Sequence, residues 1–201
     1  MAALGGSALL VDLDPVAGGL DVLLGIETVP GARWSGLRLD GGHLDPDELL
    51  GGLPQWASAA VLSADVSPAP DAVAQALDVA ARAGPVVVDL GRWPSPARGA
   101  ALPECALTVL VCGADVRSVT GARAVRLGLE AGPVGVVVAR SGHAPAPAAR
   151  VAELVGAPLI GAVSGLRRRD DSPLDPSALP RALTRVARGV LDAVDGLERA
   201  S

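Results

Sequence analysis

The stretch that decides the fold is "ALLVDLDPVAGGLDVLLG", which runs from Ala8 to Gly25. It begins with a short apolar run that ends in two carboxylates, Asp12 and Asp14, and continues through Pro15 and two glycines into a second apolar turn. Continuous apolar runs of this length are typical of buried strands in parallel sheets. Because functional side chains in such sheets lie beyond the carboxyl ends of strands, the stretch predicts a buried strand that ends at a binding or catalytic site.

The composition limits the chemistry that this chain can perform. Its 201 residues are enough for one domain with a sizeable core, and half of them are hydrophobic, although there are three Trp and neither Phe nor Tyr. All 17 basic residues are Arg. A lysine Schiff base, a lysine general base and a phosphate-binding lysine are therefore excluded for this chain.

The charge distribution argues against a nucleic-acid partner. The formal net charge is -5 and the sequence pI is about 5.0. The densest basic cluster, Arg167–Arg169, is followed directly by Asp170–Asp171, which predicts a solvated turn. A nucleic-acid groove needs a concentrated positive face, and the sequence offers none.

The cysteines and the hydropathy pattern point to an ordinary soluble protein. Cys105 and Cys112 are seven residues apart and lack metal-site spacing, so we expect two small buried side chains and no metal site. No apolar run reaches the roughly 18 residues of a membrane span, and no charged segment precedes an apolar one as in a signal peptide. We expect a cytoplasmic protein.

Short Val-rich runs alternate with longer helical patterns along the chain. The predicted strands are Ala8–Leu13, Ala59–Ser63, Val86–Leu90, Leu107–Cys112, Gly135–Ala139 and Leu159–Val163. The predicted helices are Asp71–Ala83, Val116–Glu130, Ala146–Val155 and Ser177–Arg199, with Asp71 and Asp115 as N-caps. This alternation predicts one α/β domain over residues 1–201, a doubly wound and mostly parallel sheet flanked by helices, whose strands are covered on both faces.

Residues 27–56 fit the alternation less well. Gly and Pro recur throughout, and Pro46–Leu50 is the one helical candidate. The segment predicts an ordered surface excursion whose Trp34 and Trp56 either mark a contact surface or fill the core. The helix over residues 177–199 has one apolar face, which we expect to pack on the sheet, with peripheral membrane contact as the alternative.

Three predicted strands end in polar side chains. The first ends at Asp12 and Asp14, the second at Ser63 and Asp65, and the third at Asp89 in "PVVVDLG". An apolar strand, an Asp and a small turn form the pattern of a Walker B element, whose Asp orders the water around Mg²⁺. The alternative for any of these residues is a structural one, as a helix cap or an acceptor for loop amides.

The phosphate-binding counterpart of a Walker B element is missing. Such a cradle is a Gly-rich loop after a strand, with a Lys that reaches the phosphates. The nearest imitation, Gly5–Ser7, precedes a strand and has no Lys, which predicts a turn. The sequence therefore has the magnesium side of the pattern without the phosphate side.

A second enzyme hypothesis needs no phosphate loop. "LLVDLDPV" resembles the strand-end motif of haloacid-dehalogenase-like phosphohydrolases, which implies Asp12 as nucleophile and Asp14 as general acid. In that hypothesis Ser63 binds phosphate and Asp170–Asp171 form the distal metal pair. Pro15 and the absence of Lys depart from the family pattern.

A longer resemblance covers essentially the whole chain. The stretches that carry it are "LLVDLDPVAGGLDVLLGIE", "RWSGL", "LDPDELLGGLPQW", "AAVLS" and "VVVDLGRWP", which resemble the CpaE-like, septum site-determining branch of the MinD/ParA superfamily. The resemblance implies a P-loop NTPase fold. It places Asp12 and Asp14 on the strand-end acidic motif of the superfamily, whose second Asp, here Asp14, lies near the attacking water and Mg²⁺. It implies Asp89 as the Walker B Asp and Gly91 near the second switch. Ala139–Arg140 stands where the family carries an adenine-reading Asn.

The acidic motif comes earlier in this chain than in that family. The resemblance implies that the first strand, its phosphate loop and the first helix are absent, so we expect either a start codon assigned inside a longer gene or a shortened homologue, with an unpaired sheet edge. As given, the chain is expected to bind no ATP, to need no cofactor and to be no enzyme. ATP and Mg²⁺ would become its cofactors, and it would be an ATPase, if an upstream P-loop exists.

The resemblance also implies a function and partners. We expect a MinD/CpaE-like regulatory protein that helps to position septum, cell-division or pilus-secretion machinery through protein contacts, with a homodimer as a further expectation. The alternative is a truncated form of an active MgATPase of the same type.

Overall fold

The computed structural model of the chain describes residues 8–37, 44, 46–129, 132–140, 146–164 and 173–200. They form two compact units. The first unit lies within Met1–Glu104 and Ser172–Ala178, and the second within Cys105–Asp171 and Leu179–Ser201. The predicted α/β class is confirmed, because each unit packs helices on mostly parallel strands. The assignment of one domain stays a prediction.

The first unit contains a four-stranded sheet in the order β2-β3-β1-β4. Its strands are β1 (Ala8–Asp12), β2 (Gln55–Trp56), β3 (Ala59–Leu62) and β4 (Val86–Asp89). β1 runs parallel to β3 and β4, whereas β2 is antiparallel to β3. Its helices are α1 (Leu20–Leu24), α2 (Pro46–Gly51), α3 (Pro70–Ala83) and α4 (Pro96–Ala101). The sequence patterns missed α1, α4 and β2, because each has six residues or fewer and shows no periodicity.

The core of the first unit is built from small aliphatic side chains. α3 buries the predicted apolar face, Val73, Ala76, Leu77 and Ala80. Each fully buried Val or Leu contributes about 1.5–3 kcal/mol of hydrophobic stabilisation. The prediction that Asp71 caps α3 was wrong, because the helix begins at Pro70 after Ala69 and has no side-chain cap. Pro is well suited to the first helical position, since its missing N–H would have no partner there.

The second unit contains a three-stranded parallel sheet in the order β5-β6-β7. Its strands are β5 (Thr108–Gly113), β6 (Val134–Arg140) and β7 (Leu159–Ser164), and its helices are α5 (Val116–Leu127), α6 (Ala148–Val155) and α7 (Arg181–Glu198). The predicted cap of α5 is confirmed, because Asp115 Oδ1 accepts a hydrogen bond from Ser118 N at 3.0 Å. The core lies between β6 and α6, where Val136, Val138, Val151 and Val155 are buried.

The last helix packs on β7, as expected. A Cβ added at Gly161 would lie 3.0 Å from Val186 Cγ2, and one added at Gly189 would lie 3.1 Å from Ile160 O. The two glycines therefore allow the helix and the strand to approach closely. Of the helices in the described ranges, none combines the length and the apolar character needed to cross a bilayer.

The prediction that strands are covered on both faces holds for β6 but was wrong for β4 and β5. In β6, the five residues from Val134 to Val138 are all buried. In β4, Val87 is 45 % exposed, and in β5, Val111 is 70 % exposed. β4 and β5 each stand at the end of the strand order of their own sheet.

Candidate functional site

The predicted site residues meet at one edge of the first unit's sheet. β3, β1 and β4 are adjacent and parallel, so their carboxyl ends lie side by side. Asp12 ends β1 and Asp89 ends β4, and the two are register partners. The first turn after β4 places Gly91 against Asp14. The sequence-predicted residues are therefore brought together in space.

Asp12 is the most constrained side chain of this edge. It is 2 % exposed, and its Oδ1 accepts a hydrogen bond from Asp14 N at 2.9 Å. Its Oδ2 accepts from Leu20 N at 3.0 Å and from Ala64 N at 3.3 Å. Burial raises the pKa of Asp12, the three N–H groups oppose that rise, and the carboxylate of Asp89 adds to it.

These bonds give Asp12 a structural role. One carboxylate connects the turn after β1, the first residue of α1 and the turn after β3. Both oxygens already have donors, and the side chain is almost wholly buried, which speaks against a nucleophile. The structural alternative weighed for strand-end Asp residues therefore fits Asp12 best.

Asp14, Asp89 and Gly91 form the more open part of the edge. Asp14 is half-buried and its Oδ1 accepts from Val16 N at 3.2 Å, while the exposed Asp89 accepts from Gly91 N at 2.9 Å. Gly91 has φ +67°, and a Cβ added to it would lie 2.8 Å from Asp14 Cβ. Both the backbone conformation and the space therefore require glycine at this position.

A second network of hydrogen bonds joins Ser63, Asp21 and Arg33. Ser63 is buried, and its hydroxyl donates to Asp21 Oδ1 at 3.0 Å and accepts from Asp21 N at 3.2 Å. Asp21 Oδ2 accepts from Arg33 Nε at 3.2 Å. The guanidinium of Arg33 also donates to Gly31 O at 2.8 Å and to Ile26 O at 3.1 Å. Ser63, considered above as a phosphate ligand, is thus already used within the fold.

Sequence reasoning missed Asp21 and Arg33, and left the role of Trp34 open. Trp34 is 5 % exposed, and its indole N–H donates to Asp12 O at 2.7 Å, so it belongs to the core. Asp65 accepts from both the N–H and the hydroxyl of Ser35, which holds its pKa below its usual value. The stretch "RWSGL" could have indicated these roles, because it contains Arg33, Trp34 and Ser35. Their side chains bond to Asp21, Asp12 and Asp65, respectively.

The edge fits a cation better than a phosphate. Asp14 and Asp89 are carboxylates, which can bind Mg²⁺ but repel phosphate oxygens. Within the described ranges, no group of three or more His, Cys, Asp or Glu is arranged to hold a metal ion. The residues that the structure describes at this edge therefore do not make a complete nucleotide site.

The other sequence-predicted site residues lie elsewhere or outside the described residues. Gly5–Ser7, Arg167–Arg169 and Asp170–Asp171 are not among the described residues. Ala139–Arg140 ends β6 in the second unit, where Arg140 is exposed.

Comparisons with known sequences find relatives without an assigned activity. No protein-family profile matches the chain. Two curated, uncharacterized proteins from two strains of Mycobacterium tuberculosis are each 39 % identical over 203 residues, which covers 87 % of this chain and 57 % of the relative. The chain thus spans a little over half the length of the curated relatives that it matches.

Comparisons with solved structures identify the fold. The cell-division ATPase MinD of Pyrococcus furiosus matches with a TM-score of 0.68 at 15 % identity, covering 96 % of this chain and 88 % of that one. A ParA family ATPase from Chlorobium tepidum matches with a TM-score of 0.64 at 16 % identity, covering 92 % and 78 %. MinD in the MinC:MinD cell-division complex of Aquifex aeolicus matches with a TM-score of 0.62 at 19 % identity, covering 99 % and 84 %. The chain has the fold of the MinD and ParA ATPases.

Proposed function

We propose that the protein is a MinD/CpaE-like regulatory protein that acts in positioning septum, cell-division or pilus-secretion machinery through protein contacts. In this proposal the chain as given does not hydrolyse ATP competently, and it works in the cytoplasm. The fold neighbours support the MinD-like part, and the sequence stretches quoted above support the CpaE-like part.

The observation that carries the proposal is that polar side chains at this end of the sheet are hydrogen-bonded within the fold. Asp12 binds three backbone amides, Ser63 binds Asp21, and Asp89 binds the amide of Gly91. These contacts hold the loops of the edge in place, which is what a binding surface needs. The chain has no Lys to meet a phosphate, since all 17 basic residues are Arg. The edge therefore supports recognition better than phosphoryl transfer.

The class of partner is inferred from the proteins that share the fold. One neighbour is MinD in a complex with MinC, so we infer a protein partner from a division or secretion apparatus for this chain as well. A homodimer is compatible with this proposal, because a positioning protein can bind its partner as a pair.

The convergence of Asp14, Asp89 and Gly91 supports a second candidate function. These residues stand where the family resemblance implies the magnesium side of an ATPase site, and a Cβ added at Gly91 would lie 2.8 Å from Asp14 Cβ. Under this candidate, the chain is part of a longer MgATPase whose phosphate loop comes from additional sequence. Asp14 and Asp89 would then be the residues that hold the metal ion.

One experiment separates the two candidates. The native protein is isolated from its own cells, its intact mass is compared with the mass of the printed sequence, and ATP binding and hydrolysis are measured with Mg²⁺. The proposal expects no ATP turnover above that of an Asp89→Asn variant, whatever the intact mass. Turnover that Asp89→Asn abolishes, while Asp115→Asn leaves it unchanged, would overturn the proposal in favour of the ATPase.

A further inference from the structure

Trp93 differs from the other two tryptophans of the chain. Trp34 and Trp56 are shielded, and their indole N–H groups donate to Asp12 O at 2.7 Å and to Leu174 O at 3.2 Å. Trp93 is 70 % exposed, and its indole N–H has no acceptor among the residues that the structure describes. In a chain without Phe or Tyr, one large aromatic side chain is thus left in solvent.

The turn that carries Trp93 is held on both sides. Before it, Gly91 packs against Asp14 and donates its N–H to Asp89. After it, Ser95 caps α4 by accepting from Arg98 N at 3.1 Å, and the guanidinium of Arg98 reaches the carbonyl of Arg92 at 3.5 Å. A partner that binds here meets a preorganised turn, so little conformational entropy is lost on association.

Further apolar side chains are exposed on the neighbouring loops. Val16, in the loop after β1, is 79 % exposed, and Val66, in the loop after β3, is 43 % exposed. Because β3, β1 and β4 are adjacent, these loops and the Trp93 turn stand in a row along the same sheet edge. We call Val16, Val66 and Trp93 the edge patch. Exposed apolar side chains on adjacent loops can serve together as an interaction surface.

The loops that carry the edge patch contain more acidic than basic residues. Asp14, Asp65 and Asp89 lie on or next to the three loops, and Arg92 is the one basic residue in their sequences. Neither Asp14 nor Asp89 forms an ion pair with any described residue. Asp14 and Asp89 are therefore carboxylates without a paired cation, while Arg92 and Arg98 lie at the turn of Trp93 itself. Cations on a partner would complement the two unpaired carboxylates.

We propose that the edge patch is the docking surface for a segment of a partner protein that carries apolar side chains flanked by Lys or Arg, with Trp93 as its anchor. This inference rests on the proposed function and names the chemistry of its partner. Trp is enriched among residues that dominate binding energy, because it buries a large area and offers one directional N–H. The flanking cations would pair with Asp14 and Asp89.

The test uses the full chain labelled with 5-fluorotryptophan and two synthetic peptides of equal length. One peptide alternates Leu with Arg, and the other alternates Leu with Glu. Fluorine NMR gives one resonance for each Trp, and Trp93→Phe assigns the signal of Trp93. We expect the Leu/Arg peptide to shift the Trp93 resonance and to leave those of Trp34 and Trp56 in place.

Two variants measure the anchor. Trp93→Ala should weaken Leu/Arg binding by about 30-fold, the loss typical of an interface hot spot. Leu127→Ala removes a side chain of similar exposure, 72 %, from α5 in the second unit and should leave binding unchanged. Because the charges are exposed, raising the salt concentration should also weaken binding.

Each other outcome overturns the proposal. Equal binding of both peptides would mean a non-specific apolar surface. A Trp93 shift that follows protein concentration without peptide would assign the patch to a second copy, and a shift with phospholipid vesicles alone would assign it to a membrane. No shift with any probe would leave the patch without a binding role. ATP turnover is not read in this test, so its failure and that of the proposed function are distinguishable.

Discussion

The two units of the molecule end their parallel strands in different ways. In the first unit, the carboxylate that ends β1 reaches across the chain, because Asp12 accepts from Leu20 N and Ala64 N as well as from Asp14 N. In the second unit, the carboxylate after β5 stays local, because Asp115 accepts from the N–H and the hydroxyl of Ser118 in its own helix. The same α/β architecture thus carries a polar network in one unit and a simple cap in the other.

The difference shows which polar groups the fold itself needs. A local cap is enough to start a helix between two strands, as α5 demonstrates. Burying a carboxylate at a sheet edge costs desolvation free energy, which the three amides of the first unit only partly offset. What the first unit gains in return is an edge whose loops are held in place, and this is the edge where Asp14, Asp89 and Trp93 lie.

Replacing Asp12 should produce the largest effect. Asp12→Asn keeps the shape but turns an NH₂ group toward backbone N–H donors, so at least one buried amide loses its acceptor. We expect the free energy of unfolding to fall by about 3 kcal/mol, measured by urea denaturation at neutral pH. Asp115→Asn is the matched control and should cost clearly less stability, because the exposed backbone N–H of Ser118 can donate to water instead. Equal losses would mean that the network of the first unit is no stronger than a cap.

Much of the fold could be predicted because its strands are strongly patterned. Every strand named from the sequence exists, with ends that differ by one residue or fewer from Ala8–Leu13 to Leu159–Val163. Val-rich runs between Gly-Pro stops leave little choice of structure. Some helix starts differed from the prediction. α3 begins at Pro70, one residue before the expected Asp71, and α7 begins at Arg181, four residues after the expected Ser177.

The candidate site was predictable in its residues but not in their roles. Strand-end position indicated Asp12, Asp14 and Asp89, because parallel strands bring their carboxyl ends together. The partners of Asp12 lie 8 and 52 residues away at Leu20 and Ala64, and no local pattern encodes such pairings. Whether a strand-end carboxylate faces solvent or accepts loop amides depends on those distant loops.

Two glycines with positive φ sharpen the comparison further. Gly91 in the first unit has φ +67° and contacts Asp14, whereas Gly132 in the second unit has φ +85° with nothing within 4 Å of an added Cβ. Gly132→Ala should therefore cost about 1 kcal/mol of backbone strain alone. Gly91→Ala should cost about 2 kcal/mol, because Asp14 must also move. Urea denaturation of both variants measures the difference, and equal costs would contradict the contact between Gly91 and Asp14.

The two Asp residues should also respond to pH with opposite signs. Burial raises the pKa of Asp12, so its titration contributes stability below about pH 3.8 that is lost as the pH rises through its folded pKa. The hydrogen bonds from Ser118 lower the pKa of Asp115, so its titration contributes stability above about pH 3.8 that is lost as the pH falls through its folded pKa.

Urea denaturation between pH 3 and pH 6 measures how the free energy of unfolding of each variant depends on pH. The stability advantage of the wild type over Asp12→Asn should shrink as the pH rises, and its advantage over Asp115→Asn should grow. Slopes of the same sign would show that Asp12 is not buried from water as the structure has it.

The smallest expected effect tests packing in the second unit. Gly196 lies near the end of α7 with nothing within 4 Å of an added Cβ, so Gly196→Ala should stabilise the protein by about 0.5 kcal/mol through helix propensity. A Cβ added at Gly189 in the same helix would lie only 3.1 Å from Ile160 O. Gly189→Ala should therefore gain no stability or lose some. If thermal denaturation shows an equal gain for both variants, α7 does not press on β7 in solution. Its apolar face would then be free, and the membrane alternative for this helix would regain support.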